Sequence, residues 1–168
     1  MPEFAIRDAT HEDAAAIAAI YNVHVRGGIA TFELEEVVAA EMARRVVDAQ
    51  SRGLPWLVAD AAGAVLGYAC AGPWKPRAAY ARTVETSIYL DEPSRGQGLG
   101  KRLYAALIER LRAAGMHVAI AGASLPNPAS AALHEALGFD FVGRFRETGF
   151  KFGRWIDVGY WQLRLEAG

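Results

Sequence analysis

The residues best suited to chemistry lie in one run, Arg95-Gly96-Gln97-Gly98-Leu99-Gly100-Lys101-Arg102. A strand pattern ending at Leu90 precedes it, and a helical stripe of Leu103, Leu107, Ile108 and Leu111 follows it. Glycines remove Cβ obstruction, so successive backbone N–H groups can turn toward one anion. The start of the following helix adds unpaired donors and the positive end of its dipole. A phosphate is the natural guest, with Lys101 and Arg102 adding charge nearby. Two phosphate-binding motifs fail here on single positions. The dinucleotide fingerprint counted from Gly96 needs a sixth-position glycine and meets Lys101, whereas the P-loop needs glycine where Arg95 stands and a hydroxyl residue where Arg102 stands. A Gly-rich strand-to-helix turn without a ligand is the competing reading.

Other candidates are scattered. Glu85 sits on the strand pattern Thr83–Leu90, with Val84 and Thr86 facing the other way. On composition alone it reads as a solvated strand glutamate. His134 falls in a short helical segment from Pro128 to Leu137, where a packed histidine is the bland alternative. The stretch Trp74-Lys75-Pro76-Arg77-Ala78-Ala79-Tyr80-Ala81-Arg82 carries three cations and two aromatics. Arg77 and Arg82 can make bidentate contacts to an anion and Lys75 cannot, although a solvated basic loop is also consistent.

These residues need elements to position them. Phe4-Ala5-Ile6 reads as a first strand. Thr10 resembles a helix N-cap with Asp13 three residues on, opening a helix to about Val25 that Gly27-Gly28 breaks. A second helix is expected from Leu34 to Ser51, with Val37, Val38, Met42, Val46 and Val47 on one face. Strands follow at Pro55–Ala59, Val65–Trp74 and Thr83–Leu90. After the glycine run comes a helix ended by Gly115, a buried strand Val118–Ala121, the helix Pro128–Leu137 closed by Gly138, and a final strand pair, Phe139–Phe145 and Ile156–Leu165. The order β-α-α-β-β-β-α-β-α-β-β describes an α/β chain with a mixed sheet, since hairpins and helical crossovers both occur.

The 168 residues suit a single domain, 1–168, with 52% apolar and 22% charged residues. A net charge of −1 gives no pull toward nucleic acid or an anionic membrane. The apolar run Ala14–Tyr21 is too short to span a bilayer. Met1-Pro2-Glu3-Phe4 lacks the pattern of a secretory signal. Cys70 is the single cysteine and has no metal-ligand spacing around it. The expectation is a cytoplasmic protein without a metal.

Arg95, Gly98 and Gly100 fit the pattern Arg/Gln-x-x-Gly-x-Gly/Ala, which resembles the pyrophosphate signature of the GCN5-related N-acetyltransferase (GNAT) superfamily. Asn127-Pro128-Ala129-Ser130-Ala131-Ala132-Leu133-His134-Glu135-Ala136-Leu137-Gly138-Phe139 is similar to that superfamily's second motif. The resemblance implies an α+β-type GNAT fold: a mixed, mostly antiparallel sheet of six or seven strands, about four flanking helices and splayed central strands. It implies acetyl-CoA as cosubstrate, held by Arg95, Gly96, Gln97, Gly98, Leu99, Gly100 and Lys101 at the pyrophosphate. Backbone of Ile88, Tyr89 and Leu90 would pair with the pantetheine arm, and Asn127 and Ser130 would lie beside it. The superfamily usually has a tyrosine acid where this chain has His134. Because the two groups differ in pKa, roughly 10 against 6.5, His134 could serve as acid, base or orienter.

That histidine, with Thr83-Val84-Glu85 and Gly149-Phe150-Lys151-Phe152-Gly153-Arg154-Trp155-Ile156-Asp157-Val158-Gly159, resembles the phosphinothricin and methionine sulfoximine acetyltransferase family. The likeness runs from Ile6-Arg7 to Trp161-Gln162-Leu163. It implies a small primary amine as acceptor, Glu85 as base, and a strand N–H polarising the thioester carbonyl. The acceptor's anionic group would meet Lys75, Arg77 and Arg82, with Phe32 walling its pocket. A homodimer is implied, with Phe150, Phe152, Trp155, Tyr160 and Trp161 as interface, pocket cover or core. Acetylation of a peptide N-terminus is the alternative activity, and a non-catalytic acyl-CoA sensor the alternative of another class.

Overall fold

The computed structural model describes residues 3–166, so Met1 and Pro2 of the N-terminal reading lie outside the described residues. Its elements are β1 (Ala5–Asp8), α1 (Ala14–Gly27), α2 (Ala39–Ser51), β2 (Trp56–Ala61), β3 (Ala64–Pro73), β4 (Thr83–Leu90), α3 (Leu99–Ala113), β5 (Val118–Ser124), α4 (Pro128–Ala136), β6 (Asp140–Lys151) and β7 (Arg154–Arg164). The seven strands form one sheet in the order β1-β2-β3-β4-β5-β7-β6. Every pairing is antiparallel except β4 with β5, which α3 connects as a crossover. This is the mixed, mostly antiparallel GNAT arrangement expected from the sequence.

The strand period of two divides the faces of β4. Thr86 meets Tyr104 of α3, whereas Tyr89 packs edge-on against Tyr21 of α1. Helices α1 and α2 therefore cover one face and α3 the other. Leu99, Leu103, Leu107 and Leu111 are all fully buried, as the helical stripe requires. The central strands do splay. Parallel pairing of β4 with β5 covers only Thr83–Val118, Val84–Ala119 and Glu85–Ile120. Beyond Glu85 the two strands part, and the β5-facing edge of β4 has no strand partner.

One helix boundary differs from expectation. Residues 34–38 are not helical, and α2 begins at Ala39. Both ends of the Asn22 amide bind the backbone of Val37, each at 2.9 Å, and Val38 is extended (φ −75°, ψ 156°). A long-range side-chain clamp thus overrides the local helical pattern. Met42, Val46 and Ala49 form the buried face, while Val38 and Val47 are exposed. At the other end of the helical pair, Thr10 precedes a short 3-10 turn (His11–Asp13), and its N–H donates to Asp13 at 2.8 Å. The final hairpin is longer than expected, with register shifts at Phe141/Gly143 and Phe145/Gly149.

Candidate active site

The gap between β4 and β5 opens into a cleft of about 610 Å³. Thr86 to Leu90 form one wall, Gly122 to Ser124 the other, and α4 contributes Asn127, Ala129, Ser130, Leu133 and His134. Arg95, Gly96, Gly98, Gly100 and Lys101 close one end. Gly96 and Gly98 take φ of +74° and +80°, which a side chain adopts only with strain, and Gly98 is the N-cap of α3. The loop therefore presents backbone N–H groups and a helix start to the cleft. That donor set fits a pyrophosphate, and the slot beyond it, lined by Ile88, Leu90 and Leu133, fits an extended apolar arm.

Not every residue of the glycine run faces this space. Leu99 is fully buried in the core, and the Gln97 amide donates to the Pro93 carbonyl at 2.8 Å. Arg95 lines the cleft and donates to the Leu90 carbonyl at 3.3 Å and to His24 Nε2 at 3.2 Å. A guanidinium only donates, so His24 accepts and is neutral, in line with the lowering of its pKa by burial and by the charges of Arg95 and Lys151. Asn127 also caps α4: its side-chain oxygen accepts from Ser130 N–H at 3.1 Å.

His134 is 3% exposed, stacked on Trp161 and edge-on to Tyr104 and Phe139. Its Nδ1 lies 2.6 Å from the Ser130 carbonyl oxygen. A carbonyl only accepts, so Nδ1 carries the proton and Nε2 holds the free lone pair. Burial lowers the imidazole pKa, with the Ser130 bond opposing. The neutral ring is therefore an acceptor at Nε2.

Glu85 lies on the opposite face of β4, in a second cavity of about 260 Å³. Cys70 to Pro73 of β3, Trp56, Arg44 and Arg45 of α2, and Arg52 just beyond it line it too. The Glu85 carboxyl is solvent-accessible there, yet its partly apolar surroundings raise its pKa, with the Lys75 charge opposing. Ser87, two residues beyond Glu85 on β4, borders both spaces.

The four expected acceptor contacts are placed less directly. Lys75 lies 4.9 Å from the Trp74 ring centre and is felt by Glu85. Arg77 is exposed, and Arg82 donates to the Gly115 carbonyl at 2.8 Å. Phe32 packs against Gly149, and none of the four lines either cavity. Sequence reasoning missed His24, Ile29, Ala30, Ser87 and Ser124 in the cleft and the α2 arginines in the second cavity. No local motif marks them; they arrive through pairing across the fold. Among the described residues no cluster of three or more His, Cys, Asp or Glu could hold a metal ion, and no helix is long and apolar enough to cross a membrane.

Residues 6–159 match the family model described as acetyltransferase (GNAT) domain. The chain belongs to the GNAT acetyltransferase family. Within it, the chain is 46% identical over 165 residues to the L-methionine sulfoximine/L-methionine sulfone acetyltransferase of Pseudomonas paraeruginosa, covering 96% of this chain and 94% of that protein. It is 41% identical over 161 residues to the phosphinothricin N-acetyltransferase of Streptomyces viridochromogenes, covering 96% and 87% of the two chains. A crystal structure of a GNAT superfamily phosphinothricin acetyltransferase from Sinorhizobium meliloti, in complex with acetyl-CoA, superposes with a TM-score of 0.94 at 43% identity, over 98% of this chain and 90% of that one. This GNAT enzyme therefore shares its fold with an acetyl-CoA-bound relative along nearly its whole length.

Proposed function

We propose that this acetyltransferase moves the acetyl group of acetyl-CoA onto the primary amine of a small amino acid analogue of the methionine sulfoximine, methionine sulfone or phosphinothricin type. The observation that carries the reading is Ser87, shared by a pyrophosphate-fitting cleft and an amino-acid-sized cavity that holds Glu85. The relatives' specificities support the acceptor class.

In this reading the glycine loop, Arg95 and Lys101 hold the pyrophosphate, and the parted edge of β4 at Ile88, Tyr89 and Leu90 offers backbone groups to the extended arm. Asn127 and Ser130 border the arm from α4. The amine enters from the second cavity as an ammonium. Glu85 takes its proton, directly or through water. The amine nitrogen then bonds to the acetyl carbon as the carbon–sulfur bond breaks; the surplus proton on that nitrogen passes, directly or through water, to the departing sulfur, and CoA leaves as the thiol. A β4 N–H polarises the carbonyl. His134, neutral with an open Nε2, enters as acceptor or orienter rather than as acid. Of the expected acceptor contacts, Lys75, whose charge reaches Glu85, meets the acceptor's anionic group at the cavity mouth, while Arg77, Arg82 and Phe32 stand outside the cavity lining.

Free-thiol release tests the reading. Acetyl-CoA with methionine sulfoximine, methionine sulfone or phosphinothricin should release CoA faster than with peptide N-termini. Thiol release confined to peptides would transfer the activity to the alternative acceptor, and none with any amine would leave only an acyl-CoA sensor.

The same reading includes a homodimer and a cytoplasmic setting. Phe141, Phe145, Phe150 and Trp155 are exposed on the β6–β7 hairpin, whose outer strand is a sheet edge, and a second copy is the partner that the family resemblance implies. Sedimentation equilibrium would give twice the chain mass. A lone thiol, Cys70, suits a reducing compartment, which cell fractionation would test.

A further inference from the structure

The β6–β7 hairpin lines neither cavity, yet it grips a segment that lines one of them. Ile29 and Ala30, between α1 and α2, form part of the cleft wall. Three consecutive carbonyls in this segment are each taken by a side chain from a different strand. Ser124 of β5 donates to Ile29, Tyr89 of β4 to Ala30 at 3.1 Å, and Lys151 of β6 to Thr31 at 2.9 Å. Lys151 also donates to the His24 carbonyl in the last turn of α1, at 3.1 Å, where a cation suits the helix dipole. It is 3% exposed and forms no ion pair with a carboxylate among the described residues, so its charge is held by these carbonyls and by the Phe152 ring. Next to it, the Phe32 ring covers Gly149 so closely that a Cβ there would overlap the ring.

Buried charges are costly unless well partnered, and a bare backbone under an aromatic ring permits one fit. Gly149 and Lys151 pair with Ile156 and Arg154 of β7, and their contacts to the Phe32 ring and the Thr31 carbonyl also hold the segment that runs along the cleft. We infer that Lys151 and Gly149 are positioning residues for acetyl-CoA: from the far edge of the sheet they set the wall against which it binds. Neither residue contacts the ligand in this scheme. The inference rests on the reading of the cleft as the acetyl-CoA site.

Calorimetric titration of acetyl-CoA, alongside thermal melting, tests it. Gly149→Ala should weaken binding about tenfold, and Lys151→Met by a similar factor. Adding Phe32→Ala to Gly149→Ala removes the overlap, so the double variant should bind within about threefold of Phe32→Ala alone. Wild-type affinity in both single variants, even with lowered melting temperatures, would overturn the inference, because the residues would then serve stability only. Failure of the double variant to recover affinity would overturn the part assigned to Gly149. If the wild-type enzyme itself bound no acetyl-CoA, the reading of the cleft would fall first and the inference with it; weak binding only in the variants separates the two.

Discussion

The hydroxyl groups of Thr86 and Tyr104 are hydrogen-bonded to each other, joining β4 to α3 one residue past the last β4–β5 pair. Tyr104 is fully buried, so its hydroxyl has this partner or none, whereas Thr86 Oγ1 also reaches the Ile120 carbonyl at 3.4 Å. The two deletions should therefore differ. Thr86→Val leaves a buried donor unmet and should cost about 1–3 kcal/mol, while Tyr104→Phe removes the group that needs a partner and should cost about 1 kcal/mol. Urea unfolding of both variants checks the order; equal losses would contradict it.

Replacing Glu85 should separate chemistry from binding. Glu85→Gln is expected to lower kcat by about 10²–10⁴-fold, the usual worth of a general base, with acetyl-CoA affinity unchanged. The carboxyl must be ionised to act, so kcat/KM should fall as pH drops through its pKa. Partial desolvation by its surroundings places that pKa above the ordinary 4.5, and the Lys75 charge holds it down. Lys75→Met should thus shift the acid limb of the profile to higher pH. A limb that stays fixed would disconnect Lys75 from Glu85.

His134 and His24 both have pKa values lowered by burial. Each folded form binds fewer protons than the unfolded chain once pH falls below about 6.5, so stability should decline with acid until the folded pKa is reached. His134→Asn should flatten part of that decline in urea titrations between about pH 6.5 and 5. An unchanged slope would mean that His134 is already protonated in the fold.

Asp13 has the opposite sign. It is buried, and Arg7 grips it through two bonds of 2.8 and 2.9 Å. Arg7 chiefly, against desolvation, holds its pKa below 3.8. Its contribution is present above pH 3.8 and lost as pH falls through the lower folded value. Asp13→Ala removes this pair and the N–H bond from Thr10, and should cost about 2 kcal/mol at neutral pH. Chemical denaturation would measure it.

Gly98→Ala should strain the αL backbone at φ +80° by about 1 kcal/mol and tilt the N–H groups that follow. Acetyl-CoA affinity should fall well beyond the loss of stability, read by titration against melting. Equal small changes in both would argue that the loop holds no phosphate.

The elements that carry local patterns were legible. The stripe of Leu103, Leu107 and Leu111 forms a helix, the glycine run opens it, and the strand Thr83–Leu90 has the expected limits. The start of α2 was not legible, because Asn22 holds Val37 extended from 15 residues away. The pairing of the candidate site followed the same division. Glu85, His134 and the loop stand out from their neighbours in sequence. Ser87 does not, since a serine beside an isoleucine on a strand carries no sign that it borders two cavities. Arg82 reads as an anion ligand by type, and its Nε donates to the Gly115 carbonyl, a contact that only the fold brings about.

The parting of β4 from β5 after Glu85 puts an open strand edge in the middle of the sheet. On the outside of a protein such an edge is a template for unwanted pairing with other chains. Here α4 and the segment at Ile29 and Ala30 stand around the gap and enclose that edge within a cleft. The enzyme can thus keep unsatisfied backbone ready for a thin, extended guest without presenting an adhesive surface to its surroundings.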